Sequence, residues 1–323
     1  MKISILGLGA YGIALANVLY NNDNEVSMWT KYQEEADIVL LKRENRVLLP
    51  GVRIPKKILI TTNLEECIKD AKIIVLAVPI SAVREVSREL SKYLTNDQII
   101  CIVSKGIENK TNKLMSIVIY EETKCENICM ISGPSFAIEF VQDTEIGLIV
   151  ASNNEMVNMC VKVCLENDKI AVNSTSDLVG VEVAAAIKNV FAIFMGMIYG
   201  MKKNDSTKAA ILTCLIKDIR LIIEVLGGKS QTIFSYAGIG DILLTCMSEK
   251  SRNFTFGKYI GQGLNLDDAL EHMKLKTVEG INTLKALVKM LDDKQIDIKS
   301  VKLLYNILYR GEKTNNILRD IKN

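Results

Sequence analysis

A single histidine, His272, leaves acid–base chemistry in this 323-residue chain to other side chains. It lies in the amphipathic stretch "LEHMKLK" and reads as a surface residue. The first candidate in its place is Lys188, within the apolar run "AAAIKNVFAIF". Desolvation disfavours an ammonium and lowers its pKa, which suits a lysine held there to give or take a proton. The plainer alternative is a lysine that snorkels to water from a helix edge. The densest segment is "AGIGDILLTCMSEKSRNF". Asp241 there could cap a helix begun by "ILLTCM", with Thr245 four residues on and on the same face. Arg252 and Asn253 follow a turn later. The planar paired donors of arginine suit phosphate oxygens, although a capped surface helix would carry the same residues. In "IVSKGIE", Lys105 stands just beyond a strand, where ligands of α/β sheets bind; a solvated loop lysine fits the position equally. "ISGPSFAIEF" also follows a strand, and Gly133, Ser135 and Ala137 could turn backbone N–H groups to a ligand or form only a Gly-Pro turn.

These groups need a scaffold, and the first one is legible in "ILGLGAYGIALANVL". A lysine followed by an apolar run could be a signal or an anchor. Three glycines interrupt it, however, and no small-residue cleavage site follows. Divided at Gly7, Gly9 and Gly12 the run becomes strand, G-x-G-x-x-G turn and helix, the context in which that motif binds a dinucleotide. Gly7 permits the tight turn, Gly9 lets a pyrophosphate approach the backbone, and Gly12 lets helix and strand pack closely. The anion would sit at the helix N-terminus, where N–H groups and the dipole favour it. Further strands are expected at "EVSMW", "KILITT", "KIIVLAV", "QIICIVS", "ICMIS" and "EIGLIVAS", with helices such as "NLEECIKDA" and "SAVREVSRELSKYL" between them. Such alternation predicts an α/β fold with parallel strands in a doubly wound sheet.

From Val179 onward the strand signal largely stops, so the chain is divided into a dinucleotide-binding domain, 1–178, and a mainly α-helical substrate domain, 179–323. The run from Val181 to Met201 has the length of a membrane span. Glu182, Lys188 and Asn189 argue for a buried soluble helix instead, since a charge at mid-span costs about 2.5–3.5 kcal/mol.

Composition narrows the partners. With 40 basic and 38 acidic residues interspersed, the net charge is +2, so neither a nucleic-acid stripe nor a polybasic membrane patch is expected. None of the eight cysteines forms C-x-x-C, and the spacings at 125/129 and 160/164 match no usual zinc pattern. Reduced thiols, a cytoplasmic location and no metal are the reading. An NAD-selective fold usually ends its second strand on an acidic residue that binds the ribose hydroxyls. This chain has Thr30 and Lys31 there, so a 2′-phosphate should be tolerated and NADPH used at least as well as NADH.

Taken together, "GLGAYGIALA", "SKG", "ISGPSFA", "IKNV", "GIGDILLTC", "SRN" with "FG", and "VEG" resemble, in this order and nearly end to end, the bacterial-type NAD(P)-dependent glycerol-3-phosphate dehydrogenases. The resemblance implies a Rossmann domain followed by a helical substrate domain, a homodimer and NAD or NADP as cofactor. It also implies interconversion of dihydroxyacetone phosphate and sn-glycerol 3-phosphate by hydride transfer, feeding glycerophospholipid synthesis. By the same resemblance Lys188 is the proton donor and acceptor, and Lys105 stands where substrate and cofactor meet. Asp241 and Thr245 are active-site polar groups, and Ser251, Arg252 and Asn253 form the substrate-phosphate region. Gly133 and Ser135 are further substrate contacts, with Ala137 near the cofactor. Ala10, Tyr11, Lys31, Thr277 and Glu279 match cofactor contacts, as do the turn glycines; Arg252 is counted with them.

The chain departs from the family where "TRG" is usual, with Thr213, Cys214 and Leu215, and again at Asn204, Asp205 and Ser206. Ala184, Ala185 and Ala186 precede the lysine where glycines are common. Packing or substrate fit in the helical domain is expected to differ accordingly. Two alternatives stand beside the main reading. One is a hydroxy-acid or ketopantoate-type reductase that would grip a carboxylate. The other is a catalytically weak cofactor-binding paralogue, against which the retention of Lys188, Asp241 and Arg252 argues.

Overall fold

A computed structural model describes residues 1–142, 144–314 and 316–322. The chain forms two compact units, Met1–Ser104 with Met115–Leu178, and Lys105–Leu114 with Val179–Asn323. The short segment 105–114 thus departs from the expected division at 178. Its apolar residues Ile107 and Leu114 are buried in the helical core of the second unit, and Lys105 goes with them.

The first unit is built on one sheet of β1 (Lys2–Leu6), β2 (Glu25–Trp29), β3 (Leu59–Thr61), β4 (Ile73–Leu76), β5 (Ile99–Ile102), β6 (Ile128–Ser132), β7 (Ile146–Ala151) and β8 (Ile170–Thr175), in the order β3-β2-β1-β4-β5-β6-β7-β8. The first six strands have the order of a dinucleotide-binding sheet, reversing beside β1. Around them lie α1 (Ala10–Asn21), α2 (Gln33–Lys42), α3 (Leu64–Ile68), α4 (Ile80–Leu90), α5 (Met115–Thr123) and α6 (Glu155–Leu165). The central strands β4 and β5, "IIVL" and "IICI", are uninterrupted apolar runs because both of their faces are covered.

Two features depart from the expected all-parallel sheet. β6 and β7 are antiparallel, Ser132 pairing with Ile149 and Met130 with Ala151. A parallel return needs a crossover that runs back along the strands, usually as an α-helix, and the described residues of this connection carry a 3-10 turn at Ala137–Val141 and no α-helix. The edge strand β8, "IAVNST", is an addition to the expected set. It buries only Ile170 and Val172 and sets Ala171 and Asn173 outward, so its apolar signal is half that of the inner strands.

The second unit is helical: α7 (Leu178–Gly200), α8 (Asp205–Val225), α9 (Asp241–Cys246), α10 (Arg252–Gly261), α11 (Leu266–His272), α12 (Glu279–Asp293), α13 (Lys299–Arg310) and α14 (Ile317–Ile321). Among the described residues α7 is the one helix long and apolar enough to cross a membrane, and 94% of its most apolar window is buried inside the protein. It is the axis of this unit, apolar all round because other helices cover it. Glycines set how closely they approach. A Cβ at Gly196 would lie 2.0 Å from the Phe254 carbonyl oxygen, and one at Gly257 2.0 Å from that of Ile193. The backbones of α7 and α10 therefore touch.

Some of the departures from the family pattern fall into this packing, while Asn204, Asp205, Ser206 and Thr213 are exposed. Ala184, Ala185, Ala186 and Leu215 are fully buried, while Cys214 is half-buried. Asn204 precedes α8 and accepts a 2.6 Å hydrogen bond from the Thr207 hydroxyl.

Candidate active site

The chemistry-bearing residues gather into one group in each unit. In the first unit they surround the start of α1. Gly7 has φ +127, and a Cβ there would lie 2.5 Å from the Ala77 carbonyl oxygen, so no other residue fits without moving the chain. At Gly12 a Cβ would meet the Gly7 oxygen at 2.6 Å, which is the close approach of helix to turn. At Gly9, by contrast, it would meet nothing within 4 Å. No side chain caps α1. Its first N–H groups, at Ala10, Tyr11 and Gly12, are therefore directed to an open cradle of the kind a pyrophosphate fills. Beside it Tyr11 meets the Phe140 ring edge-on, centroids 5.4 Å apart, and its hydroxyl lies 3.4 Å from Ser135 Oγ. Gly133 (φ +142) makes the turn out of β6 that brings Ser135 there, and Ala137 opens the following 3-10 turn.

Lys31 follows β2, whose Trp29 carbonyl accepts from Gly7 N at 2.8 Å. It does not stand alone: its Nζ is 2.6 Å from Glu85 Oε1 on α4.

The second group is centred on Asp241. The expected helix cap is not its role. Gly240 occupies the cap position of α9, and the Asp241 side chain turns inward, where it is 1% exposed. Its Oδ1 accepts from Lys188 Nζ at 2.5 Å and its Oδ2 from Lys105 Nζ at 2.8 Å. A carboxylate buried this deeply needs such partners. Thr245, one helical turn on, donates to the Asp241 carbonyl oxygen at 2.7 Å and lies 3.4 Å from Oδ1. Burial would raise the Asp241 carboxyl, but Lys105 and Lys188 together hold it below the usual carboxylate range. The Lys188 ammonium is pushed down to about 8, chiefly by burial and further by Lys105, against the opposing pull of Asp241. Burial pushes the neighbouring Cys246 thiol up to about 12, so it stays protonated and inert at neutral pH.

A polar network runs from the next residue of α7 to the starts of α10 and α12. Asn189 Oδ1 accepts from Asn253 Nδ2 at 3.0 Å, and Asn189 Nδ2 donates to Glu279 Oε2 at 3.0 Å. The Gly280 N–H donates to Asn253 Oδ1 at 2.8 Å. Ser251 caps α10, its Oγ accepting from Phe254 N at 3.3 Å. Arg252 is the first residue of that helix; its side chain is 67% exposed and lies 3.7 Å from Glu279 Oε1. Thr277 is exposed just before α12, its hydroxyl donating to the Val278 carbonyl at 3.3 Å. In the sequence Asn189 counted only against a membrane span and not as a site residue, although a buried amide must find partners and so was itself a signal.

Comparison with known proteins agrees across both units. Residues 2–158 match the family described as NAD-dependent glycerol-3-phosphate dehydrogenase N-terminus, and residues 177–319 its C-terminus. A glycerol-3-phosphate dehydrogenase [NAD(P)+] of Fusobacterium nucleatum is 33% identical over 99% of this chain and 96% of its own. One from Staphylococcus aureus is 34% identical over 99% and 97%. The crystal structure of glycerol-3-phosphate dehydrogenase from Coxiella burnetii superposes with a TM-score of 0.91 at 26% identity, covering 98% of this chain and 97% of that one.

Proposed function

The chain belongs to the NAD-dependent glycerol-3-phosphate dehydrogenase family, and from that premise we propose which of its residues carry the reaction. It is an NAD(P)-dependent oxidoreductase that interconverts dihydroxyacetone phosphate and sn-glycerol 3-phosphate. The cradle at Gly7, Gly9 and Gly12, at the start of α1 with Ala10 and Tyr11, fits the pyrophosphate of the cofactor, and the family resemblance supports Lys31, Ala137, Thr277, Glu279 and Arg252 as cofactor contacts. When bound, NADH or NADPH supplies the hydride.

The observation that carries the assignment is the buried Asp241 between two ammonium groups. Both ammonium groups are drawn to the same carboxylate, which places a proton-bearing cation in a largely dry setting. Lys188, with its pKa lowered to about 8, gives its proton to the C2 oxygen during reduction and recovers it during oxidation. Lys105, paired with Asp241, stabilises the negative charge developing on that oxygen. Asp241 keeps both lysines in place, and Thr245 restrains Asp241. Ser251, Arg252 and Asn253 at the start of α10 hold the phosphate, where arginine donors and a helix N-terminus act together. Gly133 and Ser135 add substrate contacts.

Lys188→Met tests this directly. It should lower kcat by about 10²-fold or more while NADPH binding, followed by its fluorescence, persists. Near-normal turnover would remove the proton role from Lys188.

The same family resemblance supports a homodimer, a cytoplasmic location and a supply of sn-glycerol 3-phosphate to phospholipid synthesis. Eight free cysteines suit a reducing compartment.

A further inference from the structure

We propose that Glu85, on α4, is a cofactor-specificity residue that sets the balance between NADPH and NADH through its contact with Lys31. The inference rests on the dinucleotide reading of the first unit. In such sheets the end of the second strand meets the adenosine ribose, and the side chain there distinguishes a 2′-hydroxyl from a 2′-phosphate. Here that place is Thr30 and Lys31, directly after Trp29, whose carbonyl is bonded to the glycine turn. By itself Lys31 would favour the phosphate.

The structure sets two carboxylates at this corner. Glu35 is held by the buried Thr30, whose hydroxyl donates to its Oε2 at 2.5 Å. Glu85 reaches the corner from a different element and takes Lys31 Nζ on Oε1 at 2.6 Å. Both side chains of the Lys31–Glu85 pair are open to solvent, at 54% and 68% exposure, and so open to a ligand. Arg88 and Glu89 on the same helix also act on the pair. Among the described residues Oε2 of Glu85 makes no hydrogen bond, so it has an acceptor to offer.

Two consequences follow from this geometry. A 2′-phosphate must compete with Glu85 for Lys31 and is repelled by its charge. A 2′-hydroxyl instead finds in Glu85 the acceptor that an acidic residue at the end of β2 would normally supply. The specificity carboxylate has moved from β2 to α4. An exposed pair adds little to stability, so its effect should be seen in cofactor choice.

The test compares wild type, Glu85→Gln, Lys31→Met and the double variant, by calorimetric titration with 2′,5′-ADP and 5′-AMP and by kcat/KM for NADPH and NADH. Glu85→Gln should raise the 2′,5′-ADP to AMP affinity ratio and the NADPH to NADH ratio by about fivefold or more, the effect of one unit charge a few ångströms away in a high dielectric. Lys31→Met should lower both ratios, and in its presence the Glu85→Gln gain should shrink, since Glu85 then has no cation to compete for. An affinity ratio in Glu85→Gln within twofold of wild type overturns the proposal. A wild type that binds neither nucleotide overturns the dinucleotide reading itself, and the proposal with it.

Discussion

In the proposed mechanism the chemistry turns on Asp241, whose two oxygens are divided between Lys105 and Lys188, both largely buried. Lys188 lies 8% exposed in apolar surroundings, and burial is the largest influence on it. On the proposed mechanism, reduction of the ketone needs Lys188 protonated. Its kcat/KM should be level at lower pH and fall as pH rises through about 8, while glycerol-3-phosphate oxidation should rise through the same point. Asp241 opposes the lowering, so Asp241→Asn should move the midpoint of both curves below that of wild type, by about one unit or more. Rate profiles across pH on both enzymes read this out. An unchanged midpoint would mean that another group titrates. Much of this cluster was legible: an isolated lysine in an apolar run and an aspartate before a helix both stand out in the sequence. The contact between them did not, because residues 188 and 241 meet only through the packing of α7 and α9. The capping expectation for Asp241 gave way because a buried carboxylate is stabilised more by two ammonium groups than by orphan N–H groups.

At the level of elements, α7 and α10 cross on small residues that read in the sequence as no more than "GMIYG" and "GKYIG". Each supplies glycines four apart, Gly196 and Gly200 against Gly257 and Gly261, and a Cβ at any of them would lie 2.0–2.1 Å from a carbonyl oxygen of the other helix. This crossing sets Asn253 against Asn189, one residue from the proton-carrying lysine. Gly196→Ala should therefore cost about 1–3 kcal/mol of stability by overpacking. It should also raise KM for dihydroxyacetone phosphate more than KM for NADPH, as a thermal melt and steady-state kinetics would register. Equal rises in both would show that the crossing serves stability alone. The same composition explains why α7 passes for a membrane span by length and hydropathy: a helix covered on all sides shows no polar face. β8 escaped notice for the opposite reason, an edge strand having few apolar residues to show.

For the whole molecule, the structure forms two compact units and places residues 105–114 with the second, a segment too short to announce its allegiance in the sequence. The parallel, doubly wound character of the first six strands followed from the βα alternation, whereas the reversal at β7 did not, because strand direction is not written in hydrophobic period. On the proposed reading this chain reduces a phosphorylated ketone, and Arg252 recognises the phosphate. Binding energy from that remote group serves to position C2, so its loss should affect kcat as well as KM. The most direct measurement is the initial rate of NADPH and NADH oxidation with dihydroxyacetone phosphate, free dihydroxyacetone and ketopantoate, for wild type and Arg252→Ala. The account predicts rapid turnover of dihydroxyacetone phosphate and very little of the other two. Arg252→Ala should lose about 2–5 kcal/mol in kcat/KM for the phosphate substrate and almost nothing further for dihydroxyacetone. Ketopantoate turned over as fast as the phosphorylated ketone, or an equal loss on both dihydroxyacetone substrates in the variant, would contradict it.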